Sequence, residues 1–212
     1  KSKDFENNLE DLSTKHNVSI TPLYFDLNND VEIKNVFLGL IKNKIKIDIL
    51  INNAGISHGG LFQMTSSKTL KEVFQVNFFS QVMVTQYVIK LMIKQKIKGT
   101  IVNISSIAGI DGYPGYIAYG SSKAALNYMT KTLVDELSPH GIRINSVAPG
   151  LTETEMASEM ESKAKNTMIN NSALKRLATS SEIAKVVIFL SSNESSFVNG
   201  QILRIDGGKS FI

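Results

Sequence analysis

The sequence predicts a doubly wound α/β fold, a mostly parallel sheet covered by helices on both faces. Two observations predict it. Apolar runs of strand length alternate with longer amphipathic stretches along the chain, and parallel strands need long crossovers of the kind those stretches supply. The chemistry-bearing residues Asp26, Asn52 to Gly55, Ser105-Ser106 and Pro149-Gly150 also fall at the exits of the strand-like runs, where open parallel sheets bind their ligands.

In order, a polar helical segment from Asp4 to Lys15 precedes a strand over Ile20 to Phe25, and a helix runs from about Asp30 to Lys44. Ile47 to Ile51 is short and β-branched, so it reads as a strand, closed by the turn residues Asn52-Asn53-Ala54-Gly55. Ser66 or Ser67 caps a long helix to about Lys96, and Gly99 introduces a strand over Thr100 to Ile104. A helix over Ile117 to Leu137 stops at Ser138-Pro139 and Gly141. A strand over Ile142 to Val147 is broken by Pro149-Gly150. Helices at about Glu153 to Met168 and Ser181 to Ser191 lead to a last strand, Gln201 to Ile205. No repeat, linker or internal domain boundary interrupts the pattern, so residues 1–212 read as one domain.

Composition excludes several function classes. The net charge of +4 is small and dispersed, which gives no footprint for nucleic acid. With no cysteine, the chain has no disulfides, no thiolate nucleophile and no cysteine-type zinc site. His16, His58 and His140 lack metal-ligand spacing, so no metal is expected. No uninterrupted apolar run approaches the ~20 residues that cross a bilayer, and KSKDFENNLE lacks the apolar core of a signal peptide.

Tyr119 and Lys123 are four residues apart on a helix, hence on one face. A cation beside a phenol favours the phenolate, bringing Tyr119 toward the range where it exchanges protons with a carbonyl or alcohol oxygen. Ser106, at a strand exit thirteen residues upstream, can supply a second donor to the same oxygen. Alone, a Tyr-x-x-x-Lys pair arises readily by chance and a Ser-Ser after a strand merely turns the chain. Asn77 lies within the long helix on an apolar face, where a buried amide must find partners. It either satisfies a neighbouring carbonyl or kink, or holds a water that relays protons to Lys123. The small residues of Asn53-Ala54-Gly55 let a flat ligand approach the backbone.

Taken together, Asn52-Asn53-Ala54-Gly55, Asn77, Ser106, Tyr119 with Lys123, and Pro149-Gly150 resemble the ordered motifs of the short-chain dehydrogenase/reductase family. The stretches Val147 to Met156, Lys175 to Ala178 and Gly200 to Gly208 are most similar to its 3-oxoacyl-(acyl-carrier-protein) reductase branch, and the resemblance runs from about Tyr24 to Ile212. It implies a Rossmann-like sheet, with Tyr119 as catalytic acid/base, Lys123 lowering its pKa and binding nicotinamide ribose, Ser106 polarising the carbonyl, and Asn77 anchoring the relay water. It also implies cofactor contacts: Asp26 and Leu27 beside adenine, Asn53, Ala54 and Gly55 along adenosine, Pro149, Gly150 and Thr152 at the carboxamide, Thr154 near the phosphates. Asp26 before Asn28-Asn29-Asp30 equally suits turn or cap chemistry, and Asn145 and Asp206 read as structural.

The family opens with a strand and a glycine-rich phosphate loop, whereas the first glycine here is Gly39. The expectation is a domain lacking its first βαβ portion, about 35–40 residues of the usual dinucleotide-binding half, as a fragment or as a degenerate protein. The residue that selects NADP over NAD falls in that portion, so NADP (as NADPH) follows from the resemblance and NAD stays open. The resemblance further implies an acyl-carrier-protein or small thioester substrate in fatty acid synthesis and a homotetramer packed through the two long helices and the last strand. Cytoplasm is the default location, an organelle the alternative; neither nucleic acid nor membrane is expected as a partner. Lys94, Lys96 and Lys98, with His140 and Arg143, could meet an acidic carrier or simply complement a helix C-terminus. Met156, Met160 and Met168 suit a substrate lid or ordinary core packing. The rival readings are a short-chain dehydrogenase of another alcohol or ketone (sugar, steroid, acetoacetyl-CoA) and a non-catalytic scaffold.

Overall fold

The computed structural model describes residues 3–158 and 162–208. Four parallel strands lie in sequential order: β1 (Ile49–Asn52), β2 (Thr100–Ile104), β3 (Arg143–Pro149) and β4 (Ile202–Ile205). The register pairs Asn52 with Asn103 and Asn103 with Ser146, so all strand exits open at one end of the sheet.

Side chains alternate across the strands, which splits the core in two. On one face Ile101 and Ile144 pack with Ile33 and Phe37 of α2 (Asp30–Lys42) and with Val84, Val88 and Met92 of α4 (Ser80–Gln95). That face also takes Leu137 of α5 (Ile117–Leu137). On the other face Val102 and Val147 pack on Val187 and Leu190 of α8 (Ser180–Ser191). The predicted helices on both faces are therefore present.

Three expectations change. Ile20 to Phe25 joins no ladder among the described residues; a strand-like pattern without a neighbouring edge to satisfy its N–H and C=O groups gains nothing from extending. Phe25 and Leu27 still pack against the α2–α4 core. The long helix is not uniform: α3 (Ser67–Phe74), capped by Ser66, passes into α4 through a π-helical turn over Gln75–Phe79 that carries Asn77. Taken as one, Ser67–Gln95 is 29 residues, long and apolar enough by length and composition to cross a membrane, but half of its apolar window is buried, with Val84, Val88 and Met92 packed on the sheet. The single helix expected over Glu153 to Met168 is instead α6 (Glu155–Ser158) and α7 (Ser162–Asn171). Met160 lies outside the described residues. The first helix, α1 (Lys3–His16), agrees within a residue at each end and buries nothing.

Lys94, Lys96 and Lys98 surround the end of α4, where Lys96 takes the left-handed cap position. Gly99 to Thr100 starts β2, so these lysines sit at the opposite end of the sheet from the strand exits, at least ~15 Å away along a five-residue strand. Arg143 is no free cation there, since its guanidinium donates to the carbonyls of Leu190, Ser192 and Val198. The helix-terminus reading of this basic group is the one the geometry favours.

Candidate active site

A cleft of about 470 Å³ opens at the strand exits, within the range of small-molecule sites. Ten predicted site residues line it: Asn53, Ala54, Gly55, Ser106, Tyr119, Lys123, Pro149, Gly150, Thr152 and Thr154. Asn77 stands behind it, while Asp26 and Leu27 lie outside it. The Asp26 carboxylate accepts from the backbone and side chain of Asn28, and Asn29 caps α2. Leu27 gives its carbonyl to Ser80 Oγ.

Ser106 follows β2, and its Oγ accepts from Ala108 N at 3.1 Å, capping a short 3-10 turn over Ile107–Gly109. That turn lies against α5 at backbone contact. A Cβ on Gly109 would come within 2.7 Å of the Lys123 carbonyl carbon, so glycine is what lets Ser106 approach the Tyr119 helix. Ser105 Oγ donates to the Lys123 carbonyl at 3.2 Å, tying the two elements again.

Lys123 is buried, and its Nζ donates to the Ile104 carbonyl at 2.7 Å. With no carboxylate beside it among the described residues, desolvation pushes its pKa down to about 8. The Nζ stands 5.9 Å from the centroid of the Tyr119 ring. Tyr119 departs from the expectation of a lowered pKa. Burial pushes the phenol up, a side-chain hydrogen bond with Ser106 pulls it part of the way back, and Tyr116 adds to the rise. In this cleft desolvation outweighs the Ser106 hydrogen bond, so the phenol is kept protonated.

Asn77 has its amide engaged: Oδ1 accepts from Ile56 N at 2.8 Å, and Nδ2 donates to Ile56 O at 2.9 Å and Ser122 Oγ at 3.0 Å. The side chain thus braces the neighbouring backbone of Ile56. The π turn gives Asn77 this aim, as such turns do at many functional sites.

Two features were missed from sequence. Gln81, one turn on, donates through Nε2 to the Ala54 carbonyl at 2.5 Å. Asn77 and Gln81 thus hold the backbone on either side of Gly55. Below them runs a buried polar row, in which Asn52 Nδ2 donates to Thr85 Oγ1 and Asn103 Oδ1, each at 2.8 Å. Asn103 Nδ2 then donates to Thr130 Oγ1, which pairs with Ser146 Oγ at 2.7 Å. A slip of one residue would break this row, so it fixes the register that aligns the strand exits. Its signal in the sequence was the set of Asn and Thr residues at otherwise apolar strand and helix positions.

The cleft suits the nicotinamide–ribose end of a dinucleotide. A Cβ on Gly55 would lie 3.3 Å from both Asn77 Oδ1 and Lys123 Nζ, so the missing side chain leaves a flat shelf beside an ammonium with N–H donors to spare. Among the described residues no glycine-rich turn leads from a strand into a helix at this cleft.

Comparisons with known proteins agree with this geometry. The family model described as enoyl-(acyl carrier protein) reductase matches residues 1–210. The 3-oxoacyl-(acyl-carrier-protein) reductase FabG of Thermotoga maritima is 40% identical over 189 residues, 89% of this chain and 76% of that protein. FabG of Aquifex aeolicus is 36% identical over 199 residues, 94% of this chain and 80% of that protein. A solved structure of a 4-hydroxyisoleucine dehydrogenase mutant complexed with NADH and succinate superposes with a TM-score of 0.88 at 35% identity, covering 97% of this chain and 85% of that one.

Proposed function

This chain belongs to the short-chain dehydrogenase/reductase family of oxidoreductases, and from that premise we propose that it reduces a 3-oxoacyl thioester to the 3-hydroxyacyl form with NADPH. The observation that carries the reading is the meeting of Ser106, Tyr119 and Lys123 in one cleft beside the Gly55 shelf.

When bound, the dinucleotide supplies the hydride. The chain's residues do the rest. Ser106 donates a hydrogen bond to the substrate carbonyl oxygen, polarising the carbon. Tyr119, its phenol protonated because burial disfavours the phenolate, passes its proton to that oxygen as the alkoxide develops. Lys123 holds the ribose hydroxyls through the N–H groups not given to Ile104, and its charge steadies the phenolate that Tyr119 becomes. Asn77 and Gln81 keep Ala54–Ile56 in place for the ribose, and Asn77 sits at the inner end of the proton path. Pro149, Gly150 and Thr152 take the carboxamide, Thr154 lies toward the phosphates, and Asp26 and Leu27 flank the adenine beyond the cleft. Thioesters borne on an acyl-carrier protein, a homotetramer and a cytoplasmic place belong to the same proposal, on the strength of the FabG relatives.

A second reading, oxidation of a hydroxylated acid with NAD, is favoured by the likeness to the NADH-complexed dehydrogenase. One assay separates them. The first expects acetoacetyl thioester to consume NADPH at least tenfold faster than NADH, with little NAD reduction by 4-hydroxyisoleucine. The reverse pattern rejects the first.

A further inference from the structure

A second cavity of about 300 Å³ adjoins the catalytic cleft, the two sharing Ile107, Tyr113, Gly150, Leu151 and Met168. Two backbone seams form its walls. On one side Ala173 N and Leu174 N donate to the carbonyls of Gly208 and Gly207 at 2.7 and 3.1 Å. Both glycines hold positive φ, and a Cβ on Gly207 would fall 2.5 Å from Ser172 Oγ, so this seam requires glycine. On the other side Ala178 N donates to Leu151 O and Glu153 N to Ala178 O, at 3.1 and 2.9 Å.

The lining chemistry selects the occupant. Met168, Ile169, Leu177 and Ile205 face the space. The ionised side chains around it are already paired: Arg176 grips Glu182 at 2.9 and 2.7 Å, and Asp206 takes Arg204 at 2.6 Å. A charged or polyhydroxylated ligand would have to break those pairs, whereas a hydrocarbon only has to displace water.

We propose that this cavity receives the apolar tail of the acyl substrate and so makes the chain selective for medium-length acyl groups. The inference rests on the reductase reading. At roughly the volume of a liquid water per methylene, the space takes about ten groups when filled completely, hence a tail of six to eight carbons with normal clearance. Binding gains about fourfold for each buried methylene, so kcat/KM climbs from the four-carbon substrate to the ten-carbon one and stops climbing beyond it.

The test uses NADPH and 3-oxoacyl N-acetylcysteamine thioesters of four, six, eight, ten and fourteen carbons, with calorimetric binding of the four- and ten-carbon 3-hydroxyacyl thioesters. The expected result is a rise of at least a hundredfold in kcat/KM from four to ten carbons, with tighter binding of the ten-carbon product. Ile169→Trp and Leu177→Phe, which fill the cavity from two different elements, are expected to cut the ten-to-four-carbon ratio at least tenfold. Turnover of all lengths with a flat profile, or variants that leave the ratio unchanged, overturns the pocket while the reductase reading stands. No turnover of any thioester, in a chain that oxidises another alcohol, overturns the reductase reading and the acyl tail with it.

Discussion

Replacing Lys123 with Met is expected to stabilise the chain while destroying its chemistry. The Lys123 pKa falls from 10.5 to about 8 on folding because burial penalises the ammonium. The unfolded chain therefore binds more protons between pH 8 and 10.5, and stability rises with pH across that window. Below pH 8 the full penalty applies, about 3 kcal/mol for a shift of this size. Met removes the penalty but leaves the Ile104 carbonyl without its donor, a loss of about 1–2 kcal/mol. At pH 7 the variant should thus be more stable than the parent by about 1–2 kcal/mol. At pH 9.5 only about 1 kcal/mol of the penalty remains, so the advantage shrinks by about 2 kcal/mol. The lost hydrogen bond scarcely depends on pH, and a measurement at pH 9.5 stays below the ordinary tyrosine value of 10.0, with Tyr119 present in both proteins. Urea unfolding of both proteins at pH 7.0 and 9.5 measures the change directly. An advantage that is the same at both pH values would refute the buried-ammonium account, and a variant that retained turnover would refute the role of Lys123.

Three further outcomes follow from the geometry. Asn77→Ala leaves both backbone groups of Ile56 and the Ser122 hydroxyl short of a partner, so it should cost about 2–4 kcal/mol in urea unfolding. It should weaken dinucleotide binding more than tenfold in a fluorescence titration. Gln81→Leu removes the hold on Ala54 but also a buried Oε1 that has no partner; stability should stay within about 1 kcal/mol while dinucleotide affinity falls severalfold. Changing Lys94, Lys96 and Lys98 to Glu should leave reduction of a carrier-borne thioester and of a small thioester alike within about twofold of the parent, because these lysines stand at the far end of the sheet from the cleft. A selective loss with the carrier would restore them as its docking surface.

The parts that read out of the sequence are those set by local rules. Strand-length apolar runs, turn residues at strand exits and the i, i+4 spacing of Tyr119 and Lys123 needed only periodicity and helix geometry. Ser106 was found because a strand exit is where a donor would be placed. The features that stayed hidden depend on what surrounds a residue. Ile20 to Phe25 has strand chemistry but no adjacent ladder to enter. The π turn at Gln75–Phe79 goes with the contact of Asn77 to Ile56, 21 residues away in sequence. Gln81 looks like a surface glutamine until the Ala54 carbonyl is placed beside it, and Asn52, Asn103, Thr130 and Ser146 declare themselves only once the register aligns them. The direction of the Tyr119 shift was likewise a matter of burial, which spacing along a helix does not encode.

The central claim is that Tyr119 is the proton donor of a carbonyl reduction. Tyr119→Phe keeps the ring and removes only the hydroxyl, so the decisive measurement is its turnover of acetoacetyl thioester beside its affinity for NADPH. The account predicts a loss of turnover of at least a thousandfold with the dissociation constant for NADPH within threefold of the parent. Turnover within tenfold of the parent would contradict it.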